Sequence, residues 1–499
     1  MIKRVKFGCL LSFLALLLLS CNSQAAAISP IEYGLLSAQD GKERYNILYK
    51  THVEALARGV EVDYSGLSRI DLVIPEKAKS IPVVGRAGFC GVEFHVTNNT
   101  GNIYLFTMIE ESSDIVVEKG QIEKNEVLDQ LDCGDALLSI SDANLWVKNR
   151  NGYNYGVTRK DLIIVKNGKL RNNPIASYNN DNSIPKCKVY PLKKQKKHFG
   201  DIKLIRREES TYKTFLLKVE GQYNLELSDI VIFTPENDLN EDSAIRILDC
   251  AKVRVKNVTI DGTYSQVNKY GYGIVMNNVY DVKFLNLNAY GAWGVFGTNN
   301  THNVTLNNCD INRFDVHCYG KDITCKNCIF RNLYNQFSSM YGTVKFNKCV
   351  FDKAVPVVIE YSFNAYTGFD LVFEKCKYNV SDKYGCNCIV SVGFLDDVEN
   401  ERPELKQKCW PNVSIKGMTI KAPDQIKEIY LMRLRKPVTS VGSLGYATDF
   451  ILQNISFEGD GSPKIVITNH EVLLPNKIRV TQRETKRFPI TIQDNITRQ

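Results

Sequence analysis

Four cysteines occupy the same place in four consecutive copies of one short pattern, and this repetition constrains the fold more than any other feature. The copies read VTLNNCDI, ITCKNCIF, VKFNKCVF and LVFEKCKY, with the shared cysteine at Cys309, Cys328, Cys349 and Cys376. The same frame recurs without cysteine in VRVKNVTI, VKFLNLNA, VSIKGMTI and FILQNISF, at Val258, Leu287, Met418 and Ile455. From Val258 to Cys376 successive copies are 19 to 29 residues apart. This period predicts a β-solenoid, in which each apolar side chain stacks on its equivalent in the next turn.

The length of the chain supports the same interpretation. A chain of 499 residues is too long for one compact core, whereas a solenoid lengthens by adding turns. Helical spacing is rare, so we expect an all-β protein. The exception is residues 42–58, whose apolar stripe consists of Tyr45, Leu48, Tyr49, His52, Val53 and Leu56. Asp40 before this segment and Gly59 after it are typical of helix ends. We expect this helix to cap the open first turn.

The predicted solenoid divides into parts of different regularity. We expect an N-terminal cap over residues 28–84, containing the helix at 42–58. Residues 85–233 are strand-rich but interrupted by polar loops, and we interpret them as irregular early turns with insertions rather than as a separate domain. Regular turns are predicted over residues 224–465, and we expect residues 466–499 to be a polar tail that closes the C-terminal end.

The N-terminal segment predicts export. Residues 1–20 combine three basic side chains with an apolar run from Leu10 to Leu19, which is the pattern of a signal peptide. The sequence LLSC resembles a bacterial lipobox and would place a lipid on Cys21, whereas the alanines at 25–27 suit ordinary cleavage. We favour the lipoprotein interpretation. It predicts a periplasmic or outer-membrane protein of a bacterium that meets the membrane only through its lipid.

The charge of the chain favours an acidic partner. The formal net charge is +8 at pH 7, of which three units belong to the predicted signal. A mildly basic, exported protein with a long groove is suited to an acidic polymer. We therefore expect an acidic polysaccharide, and no nucleic acid, as the partner of a monomeric protein.

No metal site is predicted from the cysteines or the carboxylates. Cys325 and Cys328 have a spacing found in zinc sites, but this spacing follows from the repeat itself. We interpret the repeated cysteines as reduced, packed side chains. No carboxylate cluster indicates calcium, so the cofactor requirement stays open.

The stretch NRFDVHCYGK, from Asn312 to Lys321, carries the candidate chemistry. Side chains alternate along a strand, so Val316 and Cys318 should face the core. Four polar side chains should then share the outer face as catalytic or orienting groups: Arg313, Asp315, His317 and Tyr319. Neighbouring turns and loops should add substrate-binding or orienting residues: Tyr272, Lys321, Gln336, Glu360 and Tyr361. This convergence predicts a catalytic site.

These groups suit β-elimination on a uronic-acid polysaccharide. The reaction needs a base for the C5 proton, a group that protonates the departing O4 and a neutraliser of the substrate carboxylate. We predict His317 as the base or its partner, Tyr319 as the acid or base, and Arg313 as the bidentate carboxylate ligand. Hydrolysis is the main alternative, because Asp315 and Glu360 could supply the two carboxylates, about 5 to 9.5 Å apart, that it needs. A non-catalytic glycan-binding solenoid is the third interpretation.

The chain also resembles a known superfamily. The repeat, the NVTIDG at Asn257–Gly262 and the helix followed by VIPEKAKSIPV resemble the pectate-lyase-like right-handed parallel β-helix superfamily over nearly the whole mature chain. This resemblance implies the fold, which hosts lyases, hydrolases and phage tailspikes alike. The lipobox, the length and the stretch RFDVHCYGK are similar to the broad-specificity glycosaminoglycan lyases of polysaccharide lyase family 29. That similarity implies chondroitin sulfate, dermatan sulfate or hyaluronan as the substrate.

Overall fold

The computed structural model is a right-handed parallel β-helix with one N-terminal α-helix, which confirms the predicted fold class. It describes residues 27–83, 85–116, 134–150, 153–172, 186–193, 195–234, 243–262, 271–289, 292–317, 319–331, 334–338, 340–360, 369–381, 387–393, 411–426, 428–434, 449–458, 464–468, 478–483, 490–492 and 496–498. Among these residues, no helix is both long enough and apolar enough to cross a membrane.

The elements follow one another in a simple order. A short 3-10 helix, Leu35–Ser37, precedes α1 (Gly41–Arg58), and the first strands are β1 (Arg69–Val73), β2 (Ile81–Pro82), β3 (Arg86–Thr97) and β4 (Ile103–Ile109). An antiparallel group follows: β5 (Ser113–Val116), β6 (Ala136–Arg150), β7 (Tyr153–Lys166), β8 (Lys169–Leu170) and β9 (Lys186–Pro191).

The long helical stack continues with β10 (Lys197–Arg206), β11 (Thr214–Glu220), β12 (Tyr223–Thr234), β13 (Ile245–Gly262), β14 (Ile274–Ala289), β15 (Val295–Asn307), β16 (Asp310–Ile311), β17 (Phe314–His317), β18 (Gly320–Lys326), β19 (Ile329–Arg331), β20 (Tyr334–Phe337), β21 (Met340–Asn347), β22 (Val350–Asp352) and β23 (Val355–Glu360). The last turns contain β24 (Asp370–Glu374), β25 (Lys377–Asn379), β26 (Cys388–Gly393), β27 (Asn412–Lys416), β28 (Thr419–Lys421), β29 (Glu428–Leu434), β30 (Asp449–Gln453), β31 (Ser456–Glu458), β32 (Lys464–Thr468), β33 (Ile478–Arg483), β34 (Ile490–Ile492) and β35 (Ile496–Arg498).

Helix α1 packs against β1 and β2 at the N-terminal end of the stack. The side chain of Asp40 accepts a hydrogen bond from the backbone N–H of Glu43, and Gly59 ends the helix at φ 67°. The buried face is narrower than the predicted stripe, because Val53 and Leu56 are exposed. The helix therefore contacts the first turn along one ridge, and its opposite side faces solvent.

The early turns are interrupted by an insertion. Strand β3 pairs in parallel with β1 and with β10, so the stack is continuous across residues 69–206. Between β4 and β10 the chain forms the five-stranded antiparallel sheet β5–β9. Its apolar side chains Leu137, Leu162 and Ile164 pack against Ala251 and Tyr280 on the outside of the stack. The region predicted as irregular early turns thus holds both helix turns and a sheet attached to their outer surface.

One corner of each regular turn is built by a single residue in the left-handed conformation. The φ values at this corner lie between 49° and 55° at Asn257, Asn286, Asn308, Asn327, Lys348, Lys375 and Asn454. Asparagine suits this conformation, since its short polar side chain bonds locally. The Asn327 side chain donates to Asn308 in the turn before it, at 3.2 Å. Each corner turns the chain at the same point, which keeps the next segment in frame.

The residue after this corner starts the next segment, and there the cysteines stack as predicted. Val258 pairs with Leu287, and the backbone bonds that follow Cys309, Cys328 and Cys349 connect each copy to the next at 2.8 Å. All four repeated cysteines are buried and carry free thiols. Cys349 donates its S–H to the backbone oxygen of Cys325 at 3.4 Å. The ladder is therefore packed core.

Candidate functional site

The candidate site lies on the outer side of β15, β17 and β20. Backbone pairing places Phe296 beside Asp315 and Asp315 beside Gln336, so these residues form one row across three turns. A second row contains Thr298, His317 and Ser338. On the inner side, Val316 is fully buried in the core, as predicted from alternation. Cys318 and Tyr361 lie outside the described residues, as does Cys21.

A buried ion pair anchors the first row. Arg313 Nη2 and Asp315 Oδ2 are 2.6 Å apart, and the side chains of the two residues are 3 % and 0 % exposed. The Tyr272 hydroxyl donates to Asp315 Oδ2 at 2.7 Å, and the backbone N–H of Gln336 donates to Asp315 Oδ1 at 3.1 Å. Arg313 Nη2 also donates to Gln336 Oε1 at 3.1 Å. Residues expected to face solvent thus form a closed network on the outer side of the strand.

Aromatic rings enclose the guanidinium of Arg313. Its Cζ lies 4.8 Å from the ring centre of Trp293 and 4.2 Å from that of Tyr334, so Arg313 makes two cation–π contacts. The rings and Asp315 together restrict both the position and the partners of this side chain. Arg313 is therefore fixed in place to hold Asp315, and its Nη2 is already occupied.

The electrostatics of the network follow from its burial. Burial raises the pKa of Asp315, while the charge of Arg313 and the hydrogen bond from Tyr272 oppose that rise. Burial raises the pKa of Tyr272 well above its ordinary value, and the adjacent Asp315 raises it further. Tyr272 therefore keeps its proton at neutral pH. The arrangement favours a protonated phenol that donates to a carboxylate held by an arginine.

His317 lies at the end of β17, next to this network. It is 6 % exposed, and its ring meets Phe296 edge-on with the ring centres 4.7 Å apart. Phe296 in turn stacks on Tyr272 at 4.5 Å. The imidazole is thus oriented by a stack of aromatic rings that also touches the ion pair.

Tyr319 does not continue the strand that carries His317. Strand β17 ends at His317, and Tyr319 has φ 76°, so it forms a left-handed corner. Its side chain is fully buried and stacks on Tyr341 with the ring centres 5.9 Å apart. The expected alternation through Tyr319 fails because the chain turns at this point. Tyr319 therefore lies around the corner from the row that contains Asp315.

The remaining predicted residues lie farther along the outer surface. Lys321 is exposed on β18, where it pairs with His302 of the preceding turn and with Tyr341 of the following one. Glu360 ends β23 in the row of His317 and Ser338, two turns beyond His317. Among the described residues, no group of three or more His, Cys, Asp or Glu side chains could hold a metal ion.

Sequence reasoning missed the aromatic residues that hold the site. Trp293 and Phe296 belong to the segment WGVFGT, which carries little charge and drew no prediction. The cysteine spacing contained the signal, since Cys309 to Cys328 spans 19 residues and so does Phe296 to Asp315. The next interval, 21 residues, likewise connects Asp315 to Gln336. Applying the ladder spacing to the outer face would have identified the whole row.

Comparisons with known proteins support the fold. No protein-family profile matches the chain, and no curated protein sequence matches it. The chain is similar in structure to the tailspike protein gp49 from Pseudomonas phage LKA1, with 13 % sequence identity and a TM-score of 0.52. That match covers 91 % of this chain and 82 % of the tailspike. A second match, the tailspike gp61 of Pseudomonas phage phi297, has 10 % identity and a TM-score of 0.51, and covers 87 % and 81 % of the two chains.

A looser match is the gp54 tailspike of Acinetobacter baumannii bacteriophage AP22, solved in complex with a capsular saccharide of that bacterium. It has 12 % identity and a TM-score of 0.47, and covers 95 % of this chain and 75 % of the tailspike. At these identities the likenesses bear on the fold alone. The two Pseudomonas phage tailspikes are the matches that support the fold of this chain.

Proposed function

We propose that this protein is a polysaccharide lyase that acts on uronic-acid-containing glycosaminoglycans: chondroitin sulfate, dermatan sulfate and hyaluronan. The observation that carries the proposal is the setting of His317. Its ring ends β17 at 6 % exposure and rests on Phe296, beside the enclosed Arg313–Asp315 pair. A general base needs an imidazole within reach of a substrate proton and a rigid shell that fixes its orientation. The aromatic stack and the ion pair supply that shell.

β-Elimination divides the chemistry among a few groups. The base takes the C5 proton, the C4–O4 bond breaks as the C4=C5 double bond forms, and an acid returns a proton to O4. His317 is the proposed base. Tyr319 and Tyr272 are both candidates for the acid: Tyr319 is fully buried at its corner, whereas Tyr272 is partly exposed and would give up its hydrogen bond to Asp315 in order to protonate O4. Phenylalanine variants of the two tyrosines distinguish them.

The substrate carboxylate needs a cationic partner as the C5 proton leaves. Arg313 is the sequence-based candidate, but its Nη2 already bonds Asp315 and Gln336, and Trp293 and Tyr334 cover its guanidinium. We therefore assign Arg313 to the positioning of Asp315. Lys321 is exposed one segment beyond His317 in the same turn and is the proposed neutraliser.

Hydrolysis fits this geometry less well. Both oxygens of Asp315 accept hydrogen bonds, and the residue has no exposed surface. Its backbone is also two turns from Glu360, which is about 10 Å along the stack before any offset within the strand. Two carboxylates flanking one glycosidic bond need to be about 5 to 9.5 Å apart. Asp315 is better suited to an orienting role than to acid or nucleophile chemistry.

The surface charge supports an anionic polymer as the substrate. Exposed lysines lie on several turns on the outside of the stack, at Lys256, Lys283, Lys326, Lys375 and Lys416. Exposed cations raise the local concentration of a polyanion, and this attraction weakens as the salt concentration rises. We also propose that the protein is exported and lipidated on Cys21, which would keep it at a bacterial membrane where such polymers are accessible.

The test is an absorbance assay on the purified mature protein. Chondroitin sulfate, dermatan sulfate, hyaluronan, heparan sulfate, pectin and alginate are each supplied, and absorbance near 232 nm reports the unsaturated uronate. We expect a rise with the first three polymers. His317→Ala should lower turnover by two or more orders of magnitude with an unchanged melting temperature. Either Tyr319→Phe or Tyr272→Phe should produce a comparable loss.

The matched control is His95→Ala, because His95 is a partly buried histidine paired with Glu93 at 3.2 Å in an early turn. This variant should keep the wild-type rate. New reducing ends without the absorbance rise would replace the proposal with a hydrolase. No product from any polymer would favour a glycan-binding protein, and normal turnover in His317→Ala would remove His317 from the mechanism.

A further inference from the structure

A second polar cluster lies around the corner from His317. Four consecutive residues of β15, Asn299 to His302, are each at most 5 % exposed. Among the described residues, four of their side-chain atoms have no hydrogen-bond partner: Asn299 Oδ1, Asn300 Oδ1, Thr301 Oγ1 and His302 Nε2. Buried polar atoms normally have partners, so such a run marks a place where a ligand or ordered water completes the bonding.

A directed hydrogen-bond ladder leads into this cluster. The Asn278 amide donates to Asp249 Oδ1 at 2.6 Å, and the Asn300 amide donates to Asn278 Oδ1 at 2.6 Å. A carboxylate only accepts, so Asp249 fixes the direction of the Asn278 amide, and Asn278 then fixes that of Asn300. The ladder must therefore end on a carbonyl oxygen, Asn300 Oδ1, which requires a donor. That residue is 1 % exposed.

The inserted antiparallel sheet borders the ladder. Ser139 on β6 donates to Asp249 at 3.0 Å, and the Asn278 amide also bonds Ser139. Strand β7 lies against β15. The corner is one residue longer in β15 than in β14. One residue separates the two paired positions in β14, whereas two residues, Asn299 and Asn300, separate them in β15. The extra residue brings the end of the ladder beside the sheet.

The same place adjoins the candidate site. Thr298, just before the cluster, pairs with His317, and His302 pairs with Lys321. Burial lowers the pKa of His302 to about 3, with the charge of Lys321 as the second cause. The imidazole is therefore neutral at physiological pH and offers a hydrogen bond, whereas Lys321 offers the charge.

We propose that Asn300, His302 and Lys321 form a sugar-binding subsite of the lyase, beside the inserted sheet. A ring hydroxyl donates to Asn300 Oδ1, a second hydroxyl bonds His302 Nε2, and the carboxylate or sulfate of the same residue of the polymer binds Lys321 Nζ. Sugar hydroxyls both donate and accept, which matches an acceptor beside a neutral imidazole. The proposal rests on the proposed function and extends its substrate path around the corner from His317.

The first test observes binding without catalysis. The protein has six histidines, so labelling them with ¹³C at Cε1 gives a simple spectrum, and His302→Phe identifies the His302 signal. Chondroitin sulfate hexasaccharide and hyaluronan hexasaccharide are titrated into the full-length mature protein. We expect the His302 signal to shift with either sugar and the His52 signal to stay in place.

The second test uses His302→Phe and Lys321→Gln in the absorbance assay. Each should raise KM about tenfold or more. His302→Phe should leave kcat near the wild-type value, whereas Lys321→Gln should also lower kcat, because Lys321 is the proposed neutraliser of the substrate carboxylate. The matched control is His52→Phe, because His52 is equally buried but bonds the Tyr64 hydroxyl at 2.7 Å in the cap. It should lower the melting temperature and leave KM unchanged.

The outcomes separate the subsite from the reaction. A shifted His302 signal without any absorbance rise would support the sugar-binding subsite and refute the lyase activity. The protein would then be a glycan-binding protein. Turnover with an unmoved His302 signal and an unchanged KM in His302→Phe would overturn the subsite, and would assign the unmatched atoms to ordered water. If His302→Phe fails to fold, His302→Gln takes its place for both the assignment and the KM measurement.

Discussion

Two corners of the β-helix differ in a way that separates scaffold from candidate site. The corner before the cysteine ladder uses one left-handed residue in every turn, from Asn257 through Asn327 to Asn454. The corner that follows the row of Thr298 and His317 differs between turns. In β14 it consists of Asn278 alone, and in β15 it consists of both Asn299 and Asn300. The regular corner keeps the equivalent core positions of successive turns aligned. The irregular corner brings polar side chains together, which a purely structural repeat would not need.

The two regions also use ion pairs differently, and the largest expected effect tests this. Arg331 and Asp310 form a bidentate pair near the regular corner, with side chains 34 % and 29 % exposed, whereas those of Arg313 and Asp315 are 3 % and 0 % exposed. Removing one partner of a buried ion pair leaves the other charge buried without a counter-charge. We expect Arg313→Met to lower the free energy of unfolding by about 3 to 5 kcal/mol. Urea unfolding measures the change.

Arg331→Met is the matched control, since it makes the same substitution in an accessible pair. Its effect should be about 0 to 1 kcal/mol, because water replaces the lost contact. Equal effects of the two substitutions would mean that the Arg313 network is no more enclosed than the surface pair. The contrast between the two corners would then lose its energetic basis.

The regular part of this comparison was predictable from the sequence. The cysteine frame identified the stacking positions, and alternation placed Val316 in the core. Both follow from local, periodic rules of strands that hold in every turn. The segment at residues 42–58 was likewise recognisable as a helix, although its buried face proved narrower at Val53 and Leu56.

The site was predictable only in part. Arg313, Asp315, His317 and Gln336 were grouped on one outer face as the structure has them, because β17 and β20 stack in register and Arg313 directly precedes β17. Their burial was not predictable, since it comes from Trp293, Tyr334 and Tyr272, which other turns contribute. Tyr319 left the face because a left-handed corner breaks the alternation, and no local sequence rule favours tyrosine there. Contacts between turns and the position of the corner therefore determine the burial of these side chains, which the alternation along a single strand does not predict.

A second prediction contrasts two buried histidines through pH. Burial lowers the pKa of His52 to about 4 and that of His302 to about 3. Both folded-state values lie below about 6.5, the value of an unfolded chain, so the unfolded state binds more protons in that interval. This contribution to stability is complete above pH 6.5 and is lost as pH falls toward the folded-state values. In that interval each histidine should lower the free energy of unfolding by about 1.4 kcal/mol for each unit by which the pH falls.

Urea unfolding between pH 4.5 and 7 tests this linkage. His52→Phe and His302→Phe should each flatten the slope below pH 6.5 by a similar amount. They should differ at pH 7, where His52→Phe loses a hydrogen bond to Tyr64 and His302→Phe removes an unmatched nitrogen. If His302→Phe leaves the slope unchanged, His302 is already hydrated in the folded protein and the irregular corner is open to water.

The smallest expected effect concerns the regular corner itself. Asn327 has φ 52° and bonds Asn308, so Asn327→Ala should lower the free energy of unfolding by about 1 to 2 kcal/mol. Asn327→Gly tolerates the conformation and should lose only the hydrogen bond, about 0.5 to 1 kcal/mol. Lys348 occupies the same corner one turn later at φ 53°, so Lys348→Asn should stabilise the protein slightly. If alanine is tolerated as well as glycine at position 327, the stacked cysteines rather than the left-handed corners keep the turns in frame.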